Sequence, residues 1–446
     1  MRIVDTVKNI WKIEDLRKRI LITMGFVTIY LFGTYIVLPG VDPKALTGLA
    51  NQTRGGLLAL IDMFSGGAFS KASIFALGIM PYISASIVMQ LVTIIIPSFQ
   101  KIQREGESGR KKINQMTRYL TVAILVVQGF AFLTNLDMQM RPIGSSLPTG
   151  AWYRISSIII LAAGSMFVLW LGERITDKGI GNGISFIIMI GIINRLPEAL
   201  LQEFTSRMNE QAGGLVMFLL QLLILLLIVA GAIALVQGTR KVPVQYAKRI
   251  VGNKQYGGAR QYIPLKVNAA NVMPIIFAQA IMMVPVSVIQ MTSGGNLSPF
   301  WQSFLATTGF WYNFIFAVTI IAFTYFYTAI TINPTQMADD LKRNNGFIPG
   351  IKPGKATKEY LDSIMDRITL PGAFFLAIVA ILPAFARLAG VSMGFSNFFG
   401  GTSLLILVGV ILDTLQQVES HLLMRHYDGL LKSGRIKGRS GAVAAY

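Results

Sequence analysis

Long apolar stretches, each about as long as a membrane is thick, alternate with shorter polar segments along most of the chain. A helix of about 20 apolar residues crosses the roughly 30 Å hydrocarbon core of a bilayer. Segments of this kind are predicted at 20–39, 73–96, 119–136, 155–172, 183–201, 214–237, 270–291, 309–331, 371–389 and 402–421. The pattern therefore predicts an all-α polytopic membrane protein with ten transmembrane helices.

One further apolar segment, residues 57–70, is too short to span a bilayer. At about 1.5 Å per residue, a helix over this segment reaches only about 21 Å. We therefore predict a re-entrant half-helix, broken at Gly66 and Gly67. Irregular backbone at membrane depth is tolerated only where protein or a water-filled cavity receives it. This segment therefore favours a channel-like architecture.

The basic residues test the number of spans. With a cytoplasmic N-terminus, 32 of the 40 Lys and Arg residues fall on the cytoplasmic side of the ten predicted spans. Cytoplasmic loops of membrane proteins carry such an excess. The distribution therefore predicts that both termini are cytoplasmic, with residues 422–446 forming a cytoplasmic tail.

Residues 1–19 place apolar side chains at helical spacing, with Lys and Arg between them. This pattern predicts an amphipathic helix in the cytoplasmic interface. An ordinary juxtamembrane helix is favoured over a dedicated binding element. Because no small-residue cleavage site precedes the first span, a cleaved signal peptide is not expected.

Composition excludes several classes of function. The chain is 53% apolar and 14% charged, with a net charge of +19, whereas soluble domains carry about 25% charged residues. The absence of Cys excludes disulfide scaffolds, Cys-ligated metals and thiol nucleophiles. The chain has only two His residues. Residues 390–394 match a G-x-S-x-G motif, but no strand-to-helix turn or nearby His is predicted there. We expect no enzyme, no cofactor and no metal site.

Ionisable residues in or beside the spans raise the alternative of a secondary transporter of small solutes. The candidates are Asp62, Asp413, Glu173 and Arg174. Charges near helix ends or cavity walls are favoured over proton coupling at these positions. An intramembrane hydrolase is a weaker alternative, because the residues for catalysis are lacking.

Two long cytoplasmic loops, residues 238–268 and 332–370, hold 13 of the basic residues. Both are longer than a helix connection needs, which indicates a further role. Anionic lipid could balance their charge. An RNA phosphate backbone would serve equally well, and it would make binding weaken with salt.

Several long sequence blocks resemble the SecY family of bacterial protein-translocation channels. They are "FSGGAFSKASIFALGIMPYISASIVMQL" (64–91), "GERITDKGIGNGIS" (172–185), "RKVPVQYAKR" (240–249), "PLKVNAANVMPIIFA" (264–278), "GFIPGIKPGKATKEYL" (346–361) and "GGTSLLILVGVILDT" (400–414). The resemblance covers essentially the whole chain. It implies two pseudosymmetric five-helix halves, residues 20–201 and 214–421, in the bacterial cytoplasmic membrane.

The resemblance also implies a function and partners. A member of this family conducts unfolded secretory and membrane protein precursors across the membrane and releases transmembrane helices laterally into lipid. Its implied partners are the SecE and SecG subunits, the SecA motor and the ribosome. The chain has no nucleotide-binding site of its own, so a partner would supply the energy.

The family motifs imply a pore ring and a plug. The implied ring is Ile79, Ile83, Ile184, Ile188, Ile276 and Ile406. By spacing alone these isoleucines would be lipid-facing or core residues, so only the resemblance makes them a gate. The implied plug is the re-entrant segment, with Leu60, Ile61, Asp62, Met63, Phe64, Gly66 and Gly67.

The motifs also imply a lateral gate and a docking surface. The gate would lie between the second and third spans on one side and the seventh and eighth on the other, with Ser84, Ser86, Gln90, Gln128 and Gln279 at its seam. The ribosome or SecA would dock on Arg240, Lys241, Lys248, Arg249, Lys352 and Lys355. The family usually has Arg where this chain has Lys352, and Lys keeps the charge without the planar fork of Arg.

Overall fold

The fold is described from a computed structural model. The described residues are 11, 13–42, 62, 64–140, 147–148, 150–209, 214–246, 249–251, 254–256, 260–270, 272–279, 281–282 and 309–432. The first six helices are α1 (Glu14–Gly33), α2 (Met80–Ile95), α3 (Pro97–Arg104), α4 (Glu107–Met140), α5 (Ala151–Lys178) and α6 (Gly183–Asn209). They are followed by α7 (Gly214–Gln237), α8 (Phe310–Thr331), α9 (Pro334–Arg343), α10 (Lys355–Leu388), α11 (Met393–Ser396) and α12 (Gly401–Lys432).

Seven of the described helices are long and apolar enough to cross a membrane: α4, α5, α6, α7, α8, α10 and α12. The consecutive helices α2 and α3, bent by 105° at their junction, would make an eighth if they count as one span. Helix α1, in the predicted first span, is not among these helices. The predicted seventh span, 270–291, is described only at 270, 272–279 and 281–282. The total of ten spans therefore stays a prediction.

The sixth span, in which nearly every residue is apolar, was predicted with the bounds that α7 has. The second span was predicted to start at 73, but residues 74–79 form turns and α2 starts at Met80. Gly78 adopts a positive φ of 53°, and Pro81 stands in the first turn of α2, a position that suits proline because its missing N–H would have no helical partner. Helix formation therefore begins seven residues later than hydropathy suggested.

The first span was predicted over 20–39, but α1 ends at Gly33. The chain then pairs with the segment that precedes α2, through a β-bridge between Val37 and Ser73. Two backbone hydrogen bonds flank this bridge, from Leu38 to Ala72 at 2.9 Å and from Ile74 to Ile36 at 3.0 Å. The end of the first span and the beginning of the second are therefore held side by side.

Three apolar clusters hold the described spans together. One lies within residues 38–161, a second within residues 232–408, and a third draws residues from both α6 and α12. The third cluster also contains Tyr30, Phe64 and Phe75. It therefore lies where the N-terminal and C-terminal parts of the chain meet, and it contains the candidate seal.

The two long loops form a small body of their own, which the sequence analysis did not predict. Strands β1 (Thr239–Tyr246), β4 (Arg260–Lys266) and β5 (Gly346–Phe347) make an antiparallel sheet in the order β4-β1-β5. Strands β2 (Arg249–Val251) and β3 (Lys254–Tyr256) form a hairpin. Alternation along β1 buries Val242 and Val244. These two side chains pack with residues of α9 and α10, so both loops share one core.

Candidate functional site

All six isoleucines of the implied ring lie in one apolar cluster. Ile79, Ile188 and Ile406 are buried, and Ile83, Ile184 and Ile276 are half-buried and pack against them. Helix α6 contributes two of them four residues apart, so both lie on one helical face. A constriction lined only by such side chains excludes water and ions without binding a passing chain tightly.

The described part of the re-entrant segment lies against this cluster. Residues 62 and 64–70 are all buried, and Phe64 and Ala68 belong to the same apolar cluster as the six isoleucines. The segment is a turn from residue 65 onward, with Gly66 and Gly67 at φ values of 66° and 87°. These positive values explain the glycine pair, because other residues are strained there. Leu60, Ile61 and Met63 lie outside the described residues.

A polar cluster closes the segment from the side of α6. The Arg195 guanidinium forms an ion pair with the Asp62 carboxylate, and the exposed fractions of these side chains are 24% and 6%. Arg195 also donates a hydrogen bond to Ser70 Oγ at 2.8 Å. The Ser70 backbone N–H donates to Asp62 Oδ1 at 2.7 Å. Asp62 and Ser70 are thus joined to each other and to α6.

Two further hydrogen bonds hold the turn between these ends. Asn194 Nδ2 donates to the Gly66 carbonyl at 3.1 Å, and the Tyr30 hydroxyl donates to the Ser65 carbonyl at 3.2 Å. The backbone approaches α6 closely, since a Cβ added to Gly66 would lie 3.1 Å from Gly191 Cα. Helices α1 and α6 therefore both position the turn.

Sequence reasoning assigned no role to Asn194 and Arg195, which lie inside the predicted fifth span. The signal was present, because an arginine inside a span and an aspartate inside a re-entrant segment each need a partner. Pairing the two charges would have placed the segment beside α6.

A second buried ionic cluster, also missed, lies near the C-terminal end of α6. Glu203 and Arg207 are paired at 2.9 Å, with exposed side-chain fractions of 1% and 8%. Glu203 accepts a hydrogen bond from the Ser392 backbone N–H at 2.8 Å, and Arg207 donates to the Gly390 carbonyl. This cluster fixes the turn between α10 and α11.

At its other end, α6 is preceded by a turn that also contacts the C-terminal part of the chain. The Gly181 N–H donates to Gln417 Oε1 of α12 at 2.9 Å. The turn is held on α1 as well, where Arg19 donates to the Gly179 carbonyl at 3.2 Å. The contacts of α6 with the C-terminal part are therefore made at both of its ends.

The predicted gate residues fall into two groups. Ser84, Ser86 and Gln90 lie on α2 and Gln128 lies on α4, all half-buried, and Gln90 donates to Ser86 Oγ at 3.4 Å. Gln279 is buried and lines a cavity of about 70 Å³ with residues of α8 and α10. Within the described part of the chain, no hydrogen bond joins the two groups.

The docking candidates meet on the body formed by the two loops. Arg240, Lys241, Lys352 and Lys355 are all exposed. Lys248 lies outside the described residues, and of Arg249 only the backbone is described, in β2. The candidates with described side chains therefore come from both loops and are carried by one core.

Lys352 stands in a tight turn between β5 and α10. Gly350 and Gly354 flank it with φ values of 83° and 99°, and Thr357 Oγ1 donates to the Lys352 carbonyl at 2.9 Å. Lys355 follows at the first position of α10, with its ammonium 4.0 Å from the Glu359 carboxylate. The turn therefore projects two positive charges from a fixed backbone.

Two of the ionisable residues that suggested a transporter are already paired. Asp62 is paired with Arg195, and Glu173 is paired with Arg118 at 2.6 Å. Asp413 lines an open polar depression with Gln416, Gln417, Ser420 and His421. Over the described ranges, no group of three or more His, Cys, Asp or Glu residues could hold a metal ion.

Comparison with known proteins gives consistent matches. Residues 73–415 match the SecY family. The chain is 42% identical to the protein translocase subunit SecY of Streptomyces scabiei, over 95% of this chain and 98% of that protein. It is 40% identical to the SecY subunit of Escherichia coli K12, over 95% and 96% of the two chains.

Solved structures have the same fold at lower identity. One is a SecY protein whose plug domain stabilises the closed state of the translocation channel and maintains a membrane seal. It has a TM-score of 0.60 and 18% identity, and the match covers 95% of each chain. Another is the channel in a canine ribosome–channel complex from the endoplasmic reticulum, with a TM-score of 0.59, 16% identity and 95% of each chain covered.

Proposed function

The chain belongs to the SecY family, and from that premise we propose that its clustered isoleucines seal a pore for unfolded polypeptides. The protein is a non-enzymatic translocation channel subunit, with several membrane-spanning helices, of a bacterial membrane. The observation that carries the proposal is the single apolar cluster that holds all six ring isoleucines together with Phe64 and Ala68.

In the resting channel the re-entrant segment is the plug and the isoleucines are the ring. The plug contributes apolar side chains to the ring from one side, so that no continuous file of water crosses the membrane. During translocation the plug leaves and the ring fits around the passing chain. Aliphatic side chains suit this task because their contacts are weak and do not depend on the sequence of the passing chain.

Apolar helices leave the pore sideways into lipid, between α2 and α4 on one side and the seventh span and α8 on the other. Polar side chains at this seam support the proposal: Ser86 and Gln90 are half-buried and Gln279 is buried. Such side chains stabilise helix contacts that must also be able to separate. Each Å² of apolar surface that moves into lipid contributes about 25 cal/mol to the exit. Both termini and the two long loops face the cytoplasm.

SecE and SecG are the partner subunits, and the ribosome or the SecA motor docks on the body formed by the two loops. The exposed basic residues of both loops support this proposal, and so does the shared fold of the channel in the canine ribosome complex. Where the ribosome docks, the phosphate backbone of its RNA meets these residues, and binding weakens as salt rises.

The experiment that tests the function is reconstitution of this chain with SecE in proteoliposomes. With SecA and ATP, a presecretory protein is expected to become protected from added protease. Vesicles that lack this chain are the control. Transport of a small solute without protection of the precursor would contradict the channel function.

The docking surface is tested by charge reversal. Changing Lys248 and Arg249 together to Glu is expected to weaken ribosome or SecA binding and to reduce its dependence on salt, because fewer counterions are released. Binding curves measured at several salt concentrations check this. Curves that coincide with those of the unchanged chain at every salt concentration would refute the assignment.

A further inference from the structure

We propose that Arg195 and Asn194 of α6 are the positioning residues that latch the plug in the resting channel. This inference rests on the proposed role of residues 57–70 as the plug. It adds to that role a named set of contacts that must be exchanged before the pore opens.

The latch is built from adjacent residues that reach separate points of the plug. Arg195 contacts Asp62 and Ser70, which are eight residues apart, and Asn194 contacts the carbonyl of Gly66 between them. A single turn of α6 therefore holds the beginning, the middle and the end of the described plug residues. Because the contacts are made at three separate points, they fix where the plug sits against α6 and how it is oriented.

The contacts are also mutually dependent. The Asp62 carboxylate accepts the Ser70 N–H and pairs with Arg195, while Arg195 donates to the Ser70 hydroxyl. Loss of Arg195 would leave a buried carboxylate without its counter-charge, which is strongly unfavourable in a low-dielectric site. The plug would relieve this by moving to where water can solvate Asp62.

The same chemistry explains how the latch can open. A buried ion pair gains little net stability over two hydrated charges, because desolvation offsets most of the attraction. When an entering polypeptide widens the pore, water reaches both Asp62 and Arg195 and replaces their mutual contacts. The latch therefore favours the closed state only while the pore is dry, and a ligand that favours the open state shifts the balance.

Plug position can be measured directly because the chain has no cysteine. Ala68 is fully buried in the seal, so a thiol placed there by Ala68→Cys is expected to react slowly with a water-soluble maleimide in SecE-containing proteoliposomes. Adding Arg195→Gln is expected to raise the labelling rate by about tenfold or more, since each 1.4 kcal/mol between two states is about tenfold in population. Resting ion flux is expected to rise with it.

Three further variants separate the latch from general damage. Asn194→Ala removes one neutral hydrogen bond and is expected to raise labelling only a few-fold. The double variant Asp62→Asn with Arg195→Gln is expected to label more slowly than Arg195→Gln alone, because no buried charge is left unpaired. Arg154→Gln, at an exposed position of α5, is the matched control and should label at the parent rate.

The outcomes distinguish this inference from the function on which it rests. If Arg195→Gln labels at the parent rate while the parent still translocates a precursor, the latch is wrong and the channel function stands. If labelling rises but resting ion flux does not, the latch holds and the role of the plug as the seal is wrong.

Discussion

Helix α6 carries two buried arginine clusters that differ in one respect. Arg195 pairs with a carboxylate on another element, the proposed plug. Arg207 pairs with Glu203 one turn away on its own helix, and the pair then binds the backbone at Gly390 and Ser392. If the plug leaves, the first ion pair separates. If the turn after α10 moves, the second pair stays intact.

The difference separates an anchor from a latch. Both partners of an intrahelical pair move together with their helix. The Glu203 cluster can therefore hold the turn after α10 during any motion that keeps α6 intact. A pair between elements has two states of different solvation, and so it can respond to what enters the pore. The exposed fractions of the two arginine side chains are consistent with this difference in solvation, since that of Arg195 is 24% and that of Arg207 is 8%.

The largest expected effect on stability comes from breaking the anchor. Glu203→Gln leaves Arg207 buried without a counter-charge, and loss of one partner of a buried pair costs about 3–5 kcal/mol. We expect the free energy of unfolding in detergent, measured by denaturant titration, to fall by about this amount.

The matched control is Asp177→Asn, an exposed carboxyl near the end of α5, which should change the free energy of unfolding by less than about 0.5 kcal/mol. If Glu203→Gln changed stability no more than this control, the Glu203 cluster would not be an anchor.

A smaller effect is expected in the proposed ring, two turns before Arg195 on the same helix. Ile188→Asn places an amide in the apolar cluster, and an unpaired buried polar group costs about 1–3 kcal/mol. Because water can satisfy the amide, we expect the seal to hydrate, with raised resting ion flux and export of precursors that have defective signal sequences. Conductance and export assays check this, with Ile188→Val as the control. An unchanged ion leak would count against the ring.

The smallest effect is expected at the turn that the anchor holds. Gly390 adopts a φ of 82°, and a residue with a Cβ in that region is strained by about 1 kcal/mol. Gly390→Ala should lower the free energy of unfolding by this amount without changing the labelling of Ala68→Cys. Gly394→Ala is the control, since an added Cβ there makes only ordinary contacts. Faster labelling with Gly390→Ala would mean that anchor and latch are coupled.

The sequence predicted those parts of the fold in which one physical signal dominates. Hydropathy alone found α7, because nearly every residue of Gly214–Gln237 is apolar. It misplaced the start of α2, because an apolar run does not show where a chain stops turning and begins a helix. It missed β1 and β4, because Lys, Arg and Pro residues obscure the alternation of buried and exposed positions in the sequence. The alternation became clear only from the packing of Val242 and Val244.

The candidate site divides in the same way. The six isoleucines were assigned to the ring through family resemblance alone, since nothing in their spacing sets them apart from core residues. Asp62 was noticed as an isolated charge, but its partner lies 133 positions further along the chain. Reasoning along single segments did not join these positions. Comparing the isolated charges of different segments could have suggested the pair, and the fold identified it.

The continuity of α10 has a mechanical consequence. This one helix of 34 residues, about 51 Å long, begins with Lys355 beside the Lys352 turn and ends at Leu388, two residues before the anchored Gly390. A torque applied to the body formed by the two loops would therefore be transmitted along this helix towards Gly390. Pro371 and Pro383 lie inside this helix and lack the N–H that a helical hydrogen bond needs, so bending under load is expected at these two positions.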